Sequence, residues 1–351
     1  MINYLKNIKH EITQIDYDIL KLINNRTKLV RELTKNSNAI DSDIDDVIKK
    51  ELEYIIENNK YPFQEKLVKE VFHCIMDISL RFLETYYGKD LLISSNSVES
   101  FYSINELFNL PFNELAIMAG PCAIENFEYL NRIARFLKEK GVKFIRGGAY
   151  KSRTSPYDFQ GLGLEGLKIL RDVANEYGLY SITEVTDTRD IELVKEHVNI
   201  LQIGARNMYN YELLKAVGQT KHPILLKRGL SATINEFMLA AEYIVLQGNK
   251  KVIMCERGIR TYETKTRNTL DIAAIPLIKR ETKLPIIVDL SHSLGRKDII
   301  NNIAYAVVAA GADGIMVEVH PHPEKALSDE KQQLNLFEFD GMLSYIGKRK
   351  L

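Results

Sequence analysis

The chain has 351 residues, which suits a barrel of about 250 residues together with a smaller unit. Its 47 basic and 47 acidic side chains cancel, so no overall charge attracts it to nucleic acid or to a membrane surface. Three cysteines are too few for a disulfide framework, no signal-peptide pattern opens the chain, and no apolar run reaches the roughly 18 residues of a membrane span. We therefore expect a cytoplasmic protein that binds neither nucleic acid nor a membrane.

Apolar residues recur at three- and four-residue steps in three successive stretches near the start of the chain. The stretches are residues 8–33, 44–55 and 67–82. This period stacks the apolar side chains on one face of a helix. We predict an all-α domain of three helices over residues 1–88, either a small bundle or half of an intertwined dimer.

A polar segment and then a new rhythm follow. Residues 89–113, with a run of serine and asparagine at 94–97, are predicted to form a linker. Beyond it, short β-rich apolar runs alternate with helical patterns. The eight runs are residues 115–119, 143–147, 180–185, 200–204, 223–227, 252–256, 285–290 and 314–319. Such alternation implies parallel strands, and eight units imply a closed barrel. We predict a (β/α)8 TIM barrel over residues 114–351, with an open doubly wound sheet as the alternative.

Six basic side chains lie at or just after the ends of the predicted strands, where the active site of a parallel barrel forms. They are Arg146, Lys151, Arg153, Arg206, Lys227 and Arg257. Gathered at one mouth they would repel one another, unless the ligand carries several negative charges, as phosphates and carboxylates do. This predicts a polyanionic ligand. The alternative is a rim of scattered surface ion pairs.

A second set at the same strand ends consists of Cys122, His292, Glu318 and Asp329. A thiolate, an imidazole and two carboxylates suit a divalent transition metal better than calcium or magnesium. Their spacing is not a local motif, so their shared position at the barrel mouth carries the hypothesis. The plainer alternatives are a buried, hydrophobe-like Cys122 and a hydrogen-bonded loop residue at His292.

Long strings in the barrel closely resemble the 3-deoxy-D-arabino-heptulosonate 7-phosphate (DAHP) synthases of the type Iβ subgroup. They are AGPCAIE (119–125), IRGGAYKSRTSPYDFQGLGLEGL (145–167), LQIGARNM (201–208), PILLKRGLSATINEF (223–237), CERGIRTYETKTRNTLD (255–271), VDLSHSLGRKD (288–298) and VEVHPHPEKALSD (317–329). The resemblance covers residues 114–345. It implies condensation of phosphoenolpyruvate with D-erythrose 4-phosphate and water to DAHP and phosphate, the first step of the shikimate pathway to aromatic amino acids.

The same resemblance implies roles for individual residues. The implied metal ligands are Cys122, His292, Glu318 and Asp329. Phosphoenolpyruvate would be held by Arg146, Lys151, Arg206, Lys227 and Arg257, and erythrose 4-phosphate by Arg153, Thr154 and Ser155. The expected catalytic side chains are Lys151, Cys122 and His292.

The implied cofactor is a divalent transition metal, with Mn2+ first and Fe2+, Co2+ or Zn2+ as alternatives. One departure is Ser152, where the family commonly has proline. A related alternative is 3-deoxy-octulosonate 8-phosphate synthase, which uses arabinose 5-phosphate; the KSRTS string favours the four-carbon sugar.

The N-terminal 88 residues resemble the AroQ-type chorismate mutase domain, most closely at LKLINNR (20–26) and EYIIENN (53–59). Arg26 matches one arginine of that family, whereas Lys9 stands where the family has another arginine. Several further polar positions of the family are replaced. We therefore expect weak or no mutase activity and a regulatory or dimerising role, with chorismate or prephenate as effector and a homodimer or homotetramer as assembly. A fully bifunctional enzyme is the alternative.

Overall fold

The structure is a computed structural model of the chain, and it describes residues 2–36, 54–55, 66–72, 74–75, 91–112, 114–151, 153 and 155–347. Contacts divide the chain into two compact units, Met1–Asp90 and Leu91–Leu351. In the described ranges no helix is both long and apolar enough to cross a membrane.

The described part of the first unit is helical. Helix α1 spans Ile2–Asn36, which confirms the first predicted stripe, and it presents exposed apolar side chains at Ile12, Ile15 and Ile19. Residues 54–55, 66–72 and 74–75 are also helical. The rest of the second and third predicted stripes lies outside the described residues.

Eight parallel strands form a closed barrel in the second unit, in which each strand pairs with its neighbours along the chain and β8 pairs with β1. The strands are β1 Ala116–Gly120, β2 Phe144–Arg146, β3 Tyr180–Glu184, β4 Ile200–Ile203, β5 Ile224–Lys227, β6 Val252–Glu256, β7 Ile286–Asp289 and β8 Gly314–Glu318. The predicted (β/α)8 barrel is confirmed, and the closure between β8 and β1 excludes the open sheet.

Helices cover the outside of the barrel. They are α3 Phe127–Glu139, α4 Leu164–Tyr177, α5 Ile191–Lys195, α6 Tyr211–Gly218, α7 Ile234–Val245, α8 Ala274–Glu281, α10 Ile300–Ala309 and α11 Leu336–Gly347. One further short helix, α9 Leu290–Leu294, follows β7 directly and carries His292 at the mouth of the barrel. Local sequence fixes several of their starts: the side chain of Asn126 caps α3, and Thr233 forms a capping box with Glu236 at the start of α7.

A short helix, α2, closes the N-terminal end of the barrel. It spans Ile104–Phe108 and begins at a capping box formed by Ser103 and Glu106. Ile104 and Phe108 are buried with the side chains of the barrel interior, and the Phe108 ring centre lies 5.0 Å from that of Phe144. Residues 91–112, which lie in the predicted linker, thus belong to the packing of the barrel, and the opposite, C-terminal end is left for ligands. The domain limits 1–88, 89–113 and 114–351 stay predictions.

Candidate active site and metal centre

The C-terminal ends of the strands surround a cavity of about 280 Å3. Eight of the predicted site residues line it: Arg146, Lys151, Arg153, Arg206, Lys227, Arg257, His292 and Asp329. Cys122 and Glu318 are fully buried beside it. Ser155 is not among the lining residues, and its hydroxyl accepts a hydrogen bond from the backbone of Tyr157 at 3.3 Å. Thr154 lies outside the described residues.

The four predicted metal ligands come together. Ligand atoms of Cys122, Glu318 and Asp329 all lie within 4.8 Å of one another, with Sγ of Cys122 3.5 Å from Oδ2 of Asp329. Nε2 of His292 lies 3.6 Å from Oε1 of Glu318 and 3.8 Å from Oδ2 of Asp329. In a metal site with metal–ligand bonds of about 2.0–2.3 Å, the distances between neighbouring ligand atoms are similar to the distances between side chains given above. The donor set and its geometry therefore fit a divalent transition metal.

His292 has the protonation state that a metal ligand needs. Burial lowers its pKa, and this outweighs the opposing effect of the Asp289 and Glu318 carboxylates, so the imidazole is neutral at pH 7. Nδ1 lies 2.8 Å from Oδ2 of Asp289, which can only accept a hydrogen bond. The proton therefore belongs on Nδ1, and the lone pair on Nε2 faces the other ligands.

Cys122 and Lys151 form a close pair at the wall of the cavity. Burial, together with the Glu318 carboxylate, raises the pKa of the Cys122 thiol to about 11. A bound metal cation would favour the thiolate instead. Nζ of Lys151 lies 3.1 Å from Sγ of Cys122 and 3.2 Å from its carbonyl oxygen. Burial lowers the pKa of Lys151, but Cys122 and Glu318 outweigh it and raise the pKa above its ordinary value, so Lys151 is a charged donor.

Arg146 links β2 to the ligand set from beneath. Its Nη1 donates hydrogen bonds to the carbonyl oxygens of Pro121 at 2.6 Å and Cys122 at 3.3 Å, and to Oε1 of Glu318 at 3.1 Å. Its buried Nε has no hydrogen-bond partner among the described residues. Burial raises the pKa of Glu318, but His292 and Arg146 outweigh it, so the pKa falls below its ordinary value and the ligand stays a carboxylate.

Positive charge exceeds negative charge around the cavity. Its lining includes eight arginine or lysine residues, namely the six predicted ones with Arg260 and Arg267, against three acidic residues, Asp158, Glu184 and Asp329. Arg257 is buried and forms no ion pair within the part of the chain that the structure describes, and burial lowers its pKa. A polyanionic ligand would offset this unfavourable burial of charge.

Sequence reasoning assigned no role to several residues that contact this site. Asp289 accepts a hydrogen bond from Lys227 at 2.5 Å as well as from His292. It therefore links one of the cations that line the cavity to one of the proposed metal ligands. Arg267 donates to Asp329 at 3.0 Å. Arg267 and Asp289 both lie within the quoted strings, which was an available signal. Gln332 and Gln333 lie beyond the last string, and no sequence pattern marked them.

Arg228 shows that a charged strand end need not belong to the cavity. It follows directly after Lys227 but turns away from the mouth, because successive strand residues point to opposite faces. Its guanidinium pairs with Glu256 at 2.8 Å and Asp271 at 2.9 Å. Arg228 therefore has a structural role in ion pairs and does not line the cavity.

The two residues predicted for a mutase-like site lie far apart on α1. Lys9 is exposed and Arg26 is half-buried. They are 26 − 9 = 17 positions apart, which on a helix corresponds to about 25 Å along the axis and about 100° around it. One copy of α1 therefore does not bring both cations to the same small ligand.

Comparison with known protein families shows which family the barrel belongs to. Residues 112–349 match the model described as the DAHP synthetase I family. The chain belongs to this family. DAHP synthases of this family depend on a divalent metal ion and use phosphoenolpyruvate and erythrose 4-phosphate. Residues 8–84 match the model described as chorismate mutase type II, which confirms the second resemblance.

Individual relatives support the same assignment of the barrel. A phospho-2-dehydro-3-deoxyheptonate aldolase of Thermotoga maritima is 55% identical over 66% of this chain and 69% of its own length. A 2-dehydro-3-deoxyphosphooctonate aldolase of Syntrophobacter fumaroxidans is 32% identical over 66% of this chain and 85% of its own length. The Thermotoga maritima heptonate aldolase is thus much more similar in sequence to this protein than the octonate aldolase is.

Solved structures agree with this result. The crystal structure of the Thermotoga maritima DAHP synthase matches with a TM-score of 0.65 and 52% identity, over 67% of this chain and 68% of that chain. A truncated form of the enzyme from the same organism matches with a TM-score of 0.63 and 50% identity, over 67% of this chain and 86% of that one.

Proposed function

We propose that this DAHP synthase family member condenses phosphoenolpyruvate with D-erythrose 4-phosphate and water to give DAHP and phosphate. The observation that carries the proposal is the meeting of two sets in one place. The thiol, imidazole and carboxylates of a divalent metal site lie at the wall of a cavity with eight cationic side chains. Two phosphorylated substrates bound together need this excess of positive charge.

Cys122, His292, Glu318 and Asp329 would hold the metal, and we propose Mn2+ as the native ion, with Fe2+, Co2+ or Zn2+ as alternatives. When bound, the metal polarises the aldehyde carbonyl of erythrose 4-phosphate as a Lewis acid. The protein's own contribution is to fix the ligands: Asp289 orients His292, and Arg146 keeps Glu318 ionised.

We assign the phosphate and carboxylate of phosphoenolpyruvate to Arg146, Lys151, Arg206, Lys227 and Arg257. All five line the same cavity. Lys227 is held by Asp289 from behind, which restrains its ammonium group before substrate arrives. We assign erythrose 4-phosphate to the adjoining segment with Arg153, Thr154 and Ser155, where Arg153 already contacts a carboxylate, that of Asp158, at 3.2 Å.

The proposed reaction needs one proton donor at the aldehyde oxygen. The alkene carbon of phosphoenolpyruvate forms the new C–C bond with the aldehyde carbon, and the aldehyde oxygen takes a proton to become a hydroxyl. Lys151 is the donor that we propose, because its charged Nζ lies 3.1 Å from Sγ of the ligand Cys122. Water then adds to the cationic carbon that carries the phosphate and releases a proton, which replaces the one that Lys151 gave up. Cleavage of the carbon–oxygen bond to the phosphate then expels phosphate and leaves the ketone of DAHP.

The proposal is tested by phosphate release from phosphoenolpyruvate with either erythrose 4-phosphate or arabinose 5-phosphate as the second substrate. We expect turnover with the four-carbon sugar and a kcat/KM at least about 100-fold lower with arabinose 5-phosphate. The reverse preference would support the octonate synthase alternative, and turnover with neither sugar would reject both functions. Removal of metal with a chelator is expected to abolish phosphate release, and Mn2+ to restore it.

For the N-terminal helical unit we propose regulation by chorismate or prephenate, or dimerisation, with weak or no mutase activity. The support is the match of residues 8–84 to the mutase model together with Lys9 in place of an arginine, since an ammonium group cannot replace a bidentate guanidinium. Chorismate disappearance measures the mutase directly. Titration of prephenate during the synthase assay separates the two other roles, because inhibition supports regulation and the absence of both inhibition and binding supports dimerisation in a homodimer or homotetramer.

A further inference from the structure

Two successive glutamines, Gln332 and Gln333, lie buried behind the metal-ligand set, 3% and 0% exposed. We propose that they are positioning residues: Gln332 holds the two carboxylate ligands, Glu318 and Asp329, and Gln333 holds the backbone at Cys122 and at Ser328, the residue before Asp329. The inference rests on the proposed metal site but concerns residues outside its ligand set.

Gln332 lies between the two carboxylate ligands. Its Nε2 donates a hydrogen bond to Oε2 of Glu318 at 2.6 Å and one to Oδ2 of Asp329 at 3.3 Å. Its Oε1 accepts a hydrogen bond from Nη1 of Arg267 at 2.8 Å. The two protons of one neutral amide thus serve two anions that would otherwise repel each other before a cation binds.

The orientation of the Gln332 amide is fixed by its partners. Carboxylates can only accept hydrogen bonds, and a guanidinium can only donate them. If the amide were rotated to exchange its oxygen and nitrogen, both sets of contacts would be lost together. Arg267 therefore locks Gln332 in the one orientation that directs its protons at the metal ligands.

Gln333 acts on the backbone. Its Oε1 accepts a hydrogen bond from the backbone N–H of Cys122 at 2.9 Å, and its Nε2 donates to the carbonyl oxygen of Ser328 at 2.8 Å. Ser328 directly precedes Asp329, and Cys122 is 211 positions away from Gln333 along the chain. One buried side chain thus joins the loop after β1 to the loop that carries Asp329.

The Asp329 loop needs such support. Asp329 has φ 48°, in the left-handed region that non-glycine residues seldom adopt. Such a conformation persists only where surrounding contacts determine it. The hydrogen bonds from Gln332 and Gln333 to Asp329 and Ser328 are contacts of this kind, because they hold the loop from its side chain and its backbone.

The test uses metal-free full-length protein titrated calorimetrically with Mn2+ alone. Gln332→Met keeps the length of the side chain but removes the amide, and Gln332→Asn keeps the amide but withdraws it by one methylene group, which preserves polarity should the methionine variant not fold. Gln333→Met tests the proposed role of Gln333 in holding the backbone at Cys122 and Ser328. We expect each to weaken Mn2+ binding about 10- to 100-fold, as residues that orient metal ligands typically do. We also expect excess Mn2+ to restore most of kcat.

The matched control is Gln202→Met. Gln202 is a buried glutamine that lines the same cavity, and its amide contacts Glu184 at 3.4 Å instead of a metal ligand. We expect its Mn2+ affinity to equal that of the wild type. Thermal unfolding gives a further readout: a positioning role reduces the extra stability conferred by Mn2+, whereas a merely structural role lowers the midpoint of metal-free and metal-loaded protein alike.

Three outcomes are distinguishable. Weaker Mn2+ binding by the Gln332 and Gln333 variants, with an unchanged control, supports the inference. Wild-type affinity in those variants overturns it while the proposed metal site stands. A wild-type protein that binds neither Mn2+ nor another divalent transition metal overturns the metal site and the inference together.

Discussion

The barrel and the N-terminal helical unit differ in how they distribute charged side chains. At the barrel mouth, residues from distant parts of the sequence meet, so that Glu318 contacts Arg146, 172 positions away, and Asp329 contacts Arg267, 62 positions away. On α1 the two predicted cations, Lys9 and Arg26, are separated along a single helix. A closed barrel brings all its strand ends together, whereas one helix spreads its residues along a line. The same kind of sequence signal is therefore stronger evidence of a site in the barrel than on the helix.

The largest expected effect is at Cys122. Cys122→Ala removes a proposed metal ligand, so we expect metal content to fall by most of its value and kcat by at least about 10³-fold, since Lewis-acid catalysis contributes several kcal/mol. Elemental analysis and the phosphate-release assay measure both. Cys255→Ala is the matched control, because Cys255 is equally buried but lies in the barrel interior with Phe108 and Phe144. It is expected to keep its metal, and loss of metal from both variants alike would reject the specific role of Cys122.

A smaller effect is expected from Arg257→Met. We expect KM for phosphoenolpyruvate to rise about 10- to 100-fold, because a hydrogen bond to a charged group contributes about 1.5–3 kcal/mol. Stability should change little, since Arg257 forms no ion pair within the described residues and its guanidinium donates hydrogen bonds to the backbone carbonyl oxygens of Gly258 and His292 at 3.2 and 3.5 Å.

Arg228→Met is the counterpart of this change and should show the opposite pattern. It leaves Glu256 and Asp271 without their partner, and breaking a buried pair costs about 3–5 kcal/mol of unfolding free energy. Substrate affinity of the folded enzyme should stay near that of the wild type. Steady-state kinetics and denaturant unfolding of both variants distinguish a binding arginine from a structural one, and identical behaviour would contradict the distinction.

The smallest effect is expected on α1. Lys9→Ala and Arg26→Ala should leave kcat and KM of the synthase reaction within about twofold, as exposed or half-exposed substitutions away from a site usually have small effects. Inhibition by prephenate, if present in the wild type, is the property that these changes should weaken. A tenfold loss of synthase activity in the absence of effector would contradict the contrast between the barrel and α1, since it would mean that α1 takes a direct part in catalysis.

The sequence predicted the barrel to within one or two residues per strand: run 252–256 coincides with β6, and run 115–119 is offset by one residue from β1. It also indicated that the six cations and the four proposed metal ligands would lie together at the mouth, as they do in the structure, because the strand ends of a parallel barrel meet there; the roles of these residues stay predictions. Asp289 lies within a quoted string but was assigned no role, and Gln332 and Gln333 carried no sequence signal. Their partners are side chains and backbone groups defined only by the closed fold, and polar residues of these types are common in any loop.

The position of Phe108 on α2, at the N-terminal end of the barrel, has a consequence for the design of a shorter version of the protein. A chain that starts at residue 91 keeps α2, together with the backbone N–H groups of Leu92 and Ile93 that donate to the Glu242 carboxylate on α7. A chain that starts at residue 114, where the predicted barrel begins, would uncover the rings of Phe144 and Tyr180 and leave an apolar opening at the N-terminal end of the barrel. Apolar surface of that kind promotes aggregation, so a truncation should be made upstream of Leu91.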